Sequence, residues 1–145
     1  MTQRQANGPS RDILLVDDHV PTTRLVTDLL QVAFPGMAFF SVLTAAQAIE
    51  TCGICPPLLV IMDIRLSDAS GIEATRRIKA LSSTVKVVMH SNHDLSVYRD
   101  ESAAAGADAF VSKSQTYSEL VPTVARLLKL LPQKRHSTDT ERQER

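Results

Sequence analysis

Leu58-Leu59-Val60-Ile61-Met62-Asp63 decides the fold: an unbroken apolar run that ends in a carboxylate. A short continuous apolar run between turn signals is the pattern of a strand buried on both faces, whereas a half-exposed strand alternates. Pro56-Pro57 precede this run and Gly71 follows it before the next helix-spaced segment. Working outward, Ile13-Leu14-Leu15-Val16 has the same character and also ends in acids, Asp17-Asp18. Ala38 to Leu43, Val85 to Met89 and Ala109-Phe110-Val111 read as three further strands.

Helical spacing fills the gaps between the strands. Pro21 suits a first helical turn, and Leu25, Val26, Leu29, Leu30 and Ala33 recur at helical intervals until Pro35-Gly36. Ala45 to Thr51 predicts a short helix that ends around Gly53. Gly71 precedes a helix carrying Ile72, Ile78 and Leu81, with Arg76, Arg77 and Lys79 outward. Leu95 to Ala105 predicts a small-residue helix closed by Gly106. Thr116-Tyr117-Ser118-Glu119 has the form of a capping box opening a last helix through Leu120, Val124, Leu127, Leu128 and Leu131. Pro122 lies inside that helix, where it should remove one hydrogen bond or bend the axis. Five strands alternating with helices predict an α/β fold, a parallel sheet covered on both faces with right-handed crossovers.

The 145 residues suit one domain, large enough to bury a core without a disulfide or structural metal. Equal numbers of Lys+Arg and Asp+Glu, 16 each, argue against direct nucleic-acid or membrane binding by the whole chain. Two Cys make no disulfide framework, and with no signal-peptide pattern the expected location is cytoplasmic. Residues 1–11 read as a disordered leader, 12–131 as the folded domain, and 132–145 as a polar tail or linker stub. Cys52-Gly53-Ile54-Cys55 matches a redox spacing, but it follows a helix, where a reactive thiol pair would open one; two small, half-buried residues are expected.

In parallel α/β sheets functional residues gather at the carboxyl ends of the strands. There the chain places Asp17-Asp18, Asp63, Ser91 and Lys113. Three converging carboxylates would raise one another's pKa values unless a cation stood between them, and hard oxygen ligands favour Mg²⁺ over zinc. A hydroxyl and an ammonium beside them suit the oxygens of a phosphoryl group. The set reads as a Mg²⁺-dependent phosphoryl site with one carboxylate as nucleophile.

Val16-Asp17-Asp18-His19, Met62-Asp63-Ile64, Met89-His90-Ser91 and Ser112-Lys113 together resemble the four signature sites of a bacterial response-regulator receiver domain. Their order and spacing fit that family without an insertion, over about residues 12 to 131. Asp-Asp-His, Ser91-Asn92-His93-Asp94 and Gly106-Ala107-Asp108 are most similar to receivers of NarL/LuxR-type regulators of two-component systems. The resemblance implies a three-layer, doubly wound, five-stranded parallel sheet in order 2-1-3-4-5, the flavodoxin-like or CheY-like fold. It implies that Asp63 takes a phosphoryl group from a sensor histidine kinase or phosphotransfer protein, as an acyl phosphate. Asp17, Asp18, Asp63 and the backbone carbonyl of Arg65 would hold Mg²⁺, for which Mn²⁺ can substitute. Lys113 and Ser91 would bind phosphoryl oxygens, and Phe110 matches the aromatic switch position. The readout would be an altered face around the last two helices and fifth strand, used for homodimerisation or partner binding. Such a phosphoprotein catalyses its own phosphotransfer and slow dephosphorylation without being an enzyme acting on an external substrate.

Arg65 and His93, with Asn92, are candidates for tuning water access to the acyl phosphate; His19 reads as a solvated loop residue. Leu66-Ser67 stands where the family usually has Met-Pro, so the loop after Asp63 is expected to be less fixed. Ser114 follows Lys113 where Pro is frequent. The alternatives are a pseudo-receiver that binds partners without phosphorylation, or the receiver part of a DNA-binding transcription regulator. An aspartyl-phosphate phosphatase would need a second Asp at position 65, where this chain has Arg.

Overall fold

The computed structural model describes residues 12–93 and 96–131; the expected leader and tail, and Leu95 of the fourth helix, lie outside the described residues. Strands β1 (Ile13–Val16), β2 (Phe39–Val42), β3 (Leu59–Met62), β4 (Lys86–Ser91) and β5 (Ala109–Ser112) alternate with helices α1 (Val20–Ala33), α2 (Ala45–Ile54), α3 (Gly71–Leu81), α4 (Ser96–Ala104) and α5 (Thr116–Leu128). All four strand pairings are parallel, in the order β2-β1-β3-β4-β5. This is the sheet that the alternation of elements and the family resemblance led us to expect. No helix among the described residues is long and apolar enough to cross a membrane.

Every residue of β1 and β3 is buried, so each strand feeds both faces. Leu14, Val16, Val60, Met62, Val87 and Met89 pack with Ala48, Ile72 and Ile78 on the α2–α3 side. Ile13, Leu15, Leu59, Ile61, Val88 and Val111 pack with Val26, Leu30, Leu120 and Val124 on the α1–α5 side. The alternation follows from the two-residue period of a strand. Register aligns the strand ends: Val16 lies opposite Met62, Met62 opposite Met89, and Ser91 opposite Ser112.

Several local expectations change. The capping box forms at α2, where Thr44 accepts from the Gln47 amide and Gln47 accepts from the amide of Thr44. It does not form at Thr116: a 3-10 turn (Lys113–Gln115) runs straight into α5, making Gln115 the N-cap, with no side-chain cap. Thr116 is already helical there, and its hydroxyl donates to the Lys113 carbonyl at 2.9 Å. Helix α5 continues through Pro122 as one element. Strand β4 begins at Lys86 and extends to Ser91, past the expected end at Met89, because β5 pairs with it that far. Lys79 does not point outward; its ammonium binds the Val85 carbonyl at 2.7 Å and Asp108 at 2.9 Å, tying α3 to the loop before β5. Leu25 and Leu81, read as core positions, are exposed. Gly106 ends α4 at φ +104, a conformation that disfavours any side chain. Cys52 is buried within α2, where burial pushes its thiol up to about 11, and Cys55 is exposed just past the helix.

Candidate functional site

Adjacent strands β1 and β3 end in register, so Asp17 and Asp63 emerge side by side; the Asp63 amide donates to the Val16 carbonyl at 3.0 Å. Asp17 Oδ1 accepts from the His19 amide and Asp63 Oδ1 from the Ile64 amide, each at 2.8 Å. These bonds leave Oδ2 of both carboxylates facing Lys113, whose Nζ lies 2.9 Å from Asp17 Oδ2 and 3.3 Å from Asp63 Oδ2. Asp18, exposed, completes a triad whose carboxylate oxygens lie within 4.8 Å of one another.

Electrostatics follow from burial. Burial raises the Asp63 carboxyl above its ordinary value; the Lys113 charge pulls it down and Asp17 pushes it further up, and the net shift is upward. Burial alone would lower Lys113, but the hydrogen bond to Asp17 and the charges of Asp63 and Asp17 outweigh it and hold the ammonium above its ordinary value. Among the described residues, the site therefore sets the Lys113 ammonium against the carboxylates of Asp17, Asp18 and Asp63. An all-oxygen donor set with no His or Cys among the clustered atoms fits a hard divalent ion such as Mg²⁺ rather than zinc. The backbone of Arg65 is close in chain to this triad, and its exposed side chain lies outside the buried set.

Ser91 is fully buried at the end of β4, and its hydroxyl accepts from the His93 amide at 3.1 Å, so the start of the β4–α4 loop is tied to it. The His93 ring packs edge-on against Tyr98 with centroids 6.0 Å apart, and Asn92 is exposed. Phe110 is half-buried on β5 and packs against the α2–α3 core, with the Arg99 guanidinium of α4 4.5 Å over its ring. His19 forms the N-cap of α1, with Nδ1 2.7 Å from Thr22 Oγ1.

The loop after Asp63 is better held than its Leu66-Ser67 suggested. The exposed Asp68 accepts the amides of Ala45 and Ala46 at 2.9 and 3.0 Å, which couples the loop to the start of α2. Those two amides hold the Asp68 carboxyl below its ordinary value. The Leu66 amide donates to Ala69, and the Gly71 amide donates to the Ile64 carbonyl at 2.6 Å. Gly71 is required here, since a Cβ would overlap the Asp63 carbonyl oxygen.

Two participants were missed from sequence. Asp68, followed by Ala69-Ser70-Gly71, looks like an ordinary turn residue. His90 is 3% exposed, with Nε2 2.7 Å from Thr116 Oγ1. Burial and then the Lys113 charge lower its imidazole to about 4, partly opposed by Asp17, so it is neutral at pH 7. The available signal was a histidine at the end of a strand buried on both faces, where an unpaired polar ring is costly.

Comparison with known proteins agrees with this geometry. The response regulator receiver domain model matches residues 13–125. A putative transcriptional regulator of Pseudomonas aeruginosa is 34% identical over 112 residues, covering 75% of this chain and 52% of that protein. The transcriptional activator protein ExaE of Pseudomonas putida is 34% identical over 118 residues, covering 80% and 54%. The chain thus spans about half the length of the curated relatives it matches. Among solved structures, a LuxR-family two-component response regulator from Aurantimonas is 31% identical with a TM-score of 0.72, covering 85% of this chain and 89% of that one. A CheY-like receiver from Methanospirillum hungatei matches the fold with a TM-score of 0.76 at 24% identity, covering 83% and 95%.

Proposed function

The chain belongs to the response regulator receiver family, and on that premise we propose that it accepts a phosphoryl group on Asp63 from the phosphohistidine of a sensor kinase or phosphotransfer protein. The observation that carries this is Lys113 Nζ held between the buried carboxylates of Asp17 and Asp63 at the carboxyl edge of the sheet. An oxygen of Asp63 forms the new bond to phosphorus, the phosphorus–nitrogen bond breaks, and its electron pair returns to the donor imidazole. Lys113 then has a phosphoryl oxygen to bind in place of Asp63, and the Ser91 hydroxyl takes another, drawing the β4–α4 loop with it. Asp17, Asp18, Asp63 and the Arg65 carbonyl would hold Mg²⁺ or Mn²⁺. When bound, that ion supplies positive charge against the carboxylates and the transferred oxygens. The acyl phosphate forms and hydrolyses on the chain itself, and the expected setting is the cytoplasm.

The test is mass gain of one phosphoryl group with Mg²⁺ and a small phosphodonor. Wild type gains it and Asp63→Asn does not; no gain in wild type, or an equal gain in the variant, overturns the assignment.

A donor protein must bring its phosphorus to this edge, so its docking face borders it. A groove of about 580 Å³ along α1 is lined by Val20, Pro21, Leu25, Leu29 and Tyr117, and Pro21, Leu25 and Tyr117 also line a second recess, which reaches His19 and Lys113. Val20, Leu25 and Tyr117 are exposed. Leu25→Asp should slow phosphotransfer from the donor protein at least tenfold while leaving phosphorylation by a small phosphodonor unchanged. Output is expected through the α4–β5–α5 face, where Phe110 lies under Arg99, as a homodimer or with a partner.

A second proposal, service in a transcriptional regulator, is favoured by the names of the relatives and by their greater length. A helix-turn-helix encoded after Arg145 would support it; a stop codon there would overturn it.

A further inference from the structure

Lys113 is placed by a hydrogen-bonded chain that starts on another strand. Along β4, Val87 and Met89 face the α2–α3 core and Val88 faces the α1–α5 core. The period of two therefore turns His90 toward α1 and α5 and Ser91 the other way. His90 thus enters the α1–α5 layer at its site end, where Leu15, Val26 and Ile61 meet Asp17, Thr22 and Thr23. An imidazole there is costly unless it is hydrogen-bonded, and its partner is Thr116 Oγ1 at 2.7 Å.

The Thr116 hydroxyl has one proton, and it points to the Lys113 carbonyl at 2.9 Å. Its lone pairs are then what the histidine meets, so His90 Nε2 carries the hydrogen and donates. The chain runs from β4 through His90 Nε2–H and Thr116 Oγ1–H to the Lys113 backbone. Lys113 lies in the 3-10 turn between β5 and α5, where strand pairing has ended at Ser91–Ser112. Beyond that pair, the His90–Thr116 bond links this turn back to the sheet through side chains.

We infer that His90, acting through Thr116, is a positioning residue for Lys113: it clamps the turn carrying the phosphoryl-binding ammonium to the strand carrying Ser91. The function rests on the phosphoacceptor assignment of Asp63, whereas the clamp itself does not. Adjacent residues of one strand thereby serve the two groups meant for phosphoryl oxygens, Ser91 directly and His90 by holding Lys113. Displacement of Lys113 by a fraction of an ångström weakens its hold on the transferring group, and misplacement of about 1 Å at a reacting centre can cost ~100-fold in rate.

The test uses the full chain and three variants. His90→Leu fills the apolar layer without a donor, Thr116→Val removes the relay, and His90→Gln restores an amide N–H at about the position of Nε2. Phosphorylation by a small phosphodonor with Mg²⁺ should slow about tenfold or more in His90→Leu and in Thr116→Val. The double variant should be no slower than either, and His90→Gln should recover most of the rate. Thermal midpoints follow folding separately, and the NMR signal of the Lys113 ammonium should broaden through faster exchange in the two slow variants. Unchanged rates with an unchanged ammonium signal overturn the inference, as does slowing in proportion to lost stability without rescue by Gln. If wild type gains no phosphate, the Asp63 assignment fails by itself; an ammonium signal unaffected by His90→Leu then overturns the clamp as well.

Discussion

Asp63 and Asp68 stand on the same loop between β3 and α3, and their surroundings push them in opposite directions. Asp63 is buried, accepts one backbone amide and faces a second acid, so its carboxyl is raised even with Lys113 beside it. Asp68 is exposed, accepts the two free amides at the start of α2, and is lowered. A carboxylate satisfied by helix-terminal amides is in its preferred state and stabilises the chain. One held at the end of a buried strand beside a second acid carries its charge at a cost. The contrast separates an acid that ties the fold together from the proposed phosphoacceptor, although both follow the same strand and both lie near turn residues.

The largest expected effect comes from filling the space beside the backbone of Asp63. Gly71→Ala places a methyl group against the Asp63 carbonyl, and backbone cannot yield as a flexible side chain does. A stability loss of about 3 kcal/mol or more is expected from chemical denaturation, together with loss of phosphorylation. A variant as stable and as readily phosphorylated as wild type would show that the loop has another way to accommodate the methyl group.

Next comes the pH dependence of Asp63. Its folded-state pKa lies above the ordinary 3.8, so the folded chain holds the proton more tightly than the unfolded chain does. Stability from this group is complete below 3.8 and is lost as pH rises through the raised folded value. Asp63→Asn, which cannot ionise, should therefore raise the thermal midpoint at pH 7 in metal-free buffer. The gain should shrink on acidification and vanish below the ordinary carboxylate range. A midpoint lowered at pH 7 would mean that the Lys113 ion pair outweighs burial.

Asp68→Ala should give the smallest effect. The amides of Ala45 and Ala46 lose their acceptor, and their hydrogen exchange should accelerate while exchange in β3 stays slow. Phosphorylation at Asp63 should persist. Equal protection of both amides in the variant would show that Asp68 does not hold the start of α2.

Much of the sheet was legible because its strands are continuous apolar runs, as in Ile13–Val16 and Leu58–Met62. Asp17, Asp63, Ser91 and Lys113 were legible because each polar residue follows or ends such a run. The Ser/Thr-x-x-Glu pattern at Thr116 is local, whereas the 3-10 turn that displaces the cap depends on where β5 ends. Leu66-Ser67 predicts a looser loop because the missing Pro is visible locally. The replacement, Asp68 bound to α2, joins segments far apart in sequence. Helical period alone points Lys79 outward, but its stem lies along Gly106 and its ammonium reaches Asp108.

The sequence by itself determined which segments become strands and which polar residues stand at their ends, since both depend on runs of neighbouring side chains. The tertiary structure alone decided how those residues pair: Lys113 between two acids, Asp68 on the start of α2, His90 on Thr116. A hydrogen bond forms only where the folded sheet brings donor and acceptor within about 3 Å. For groups separated by tens of residues, that distance is set by strand order and register.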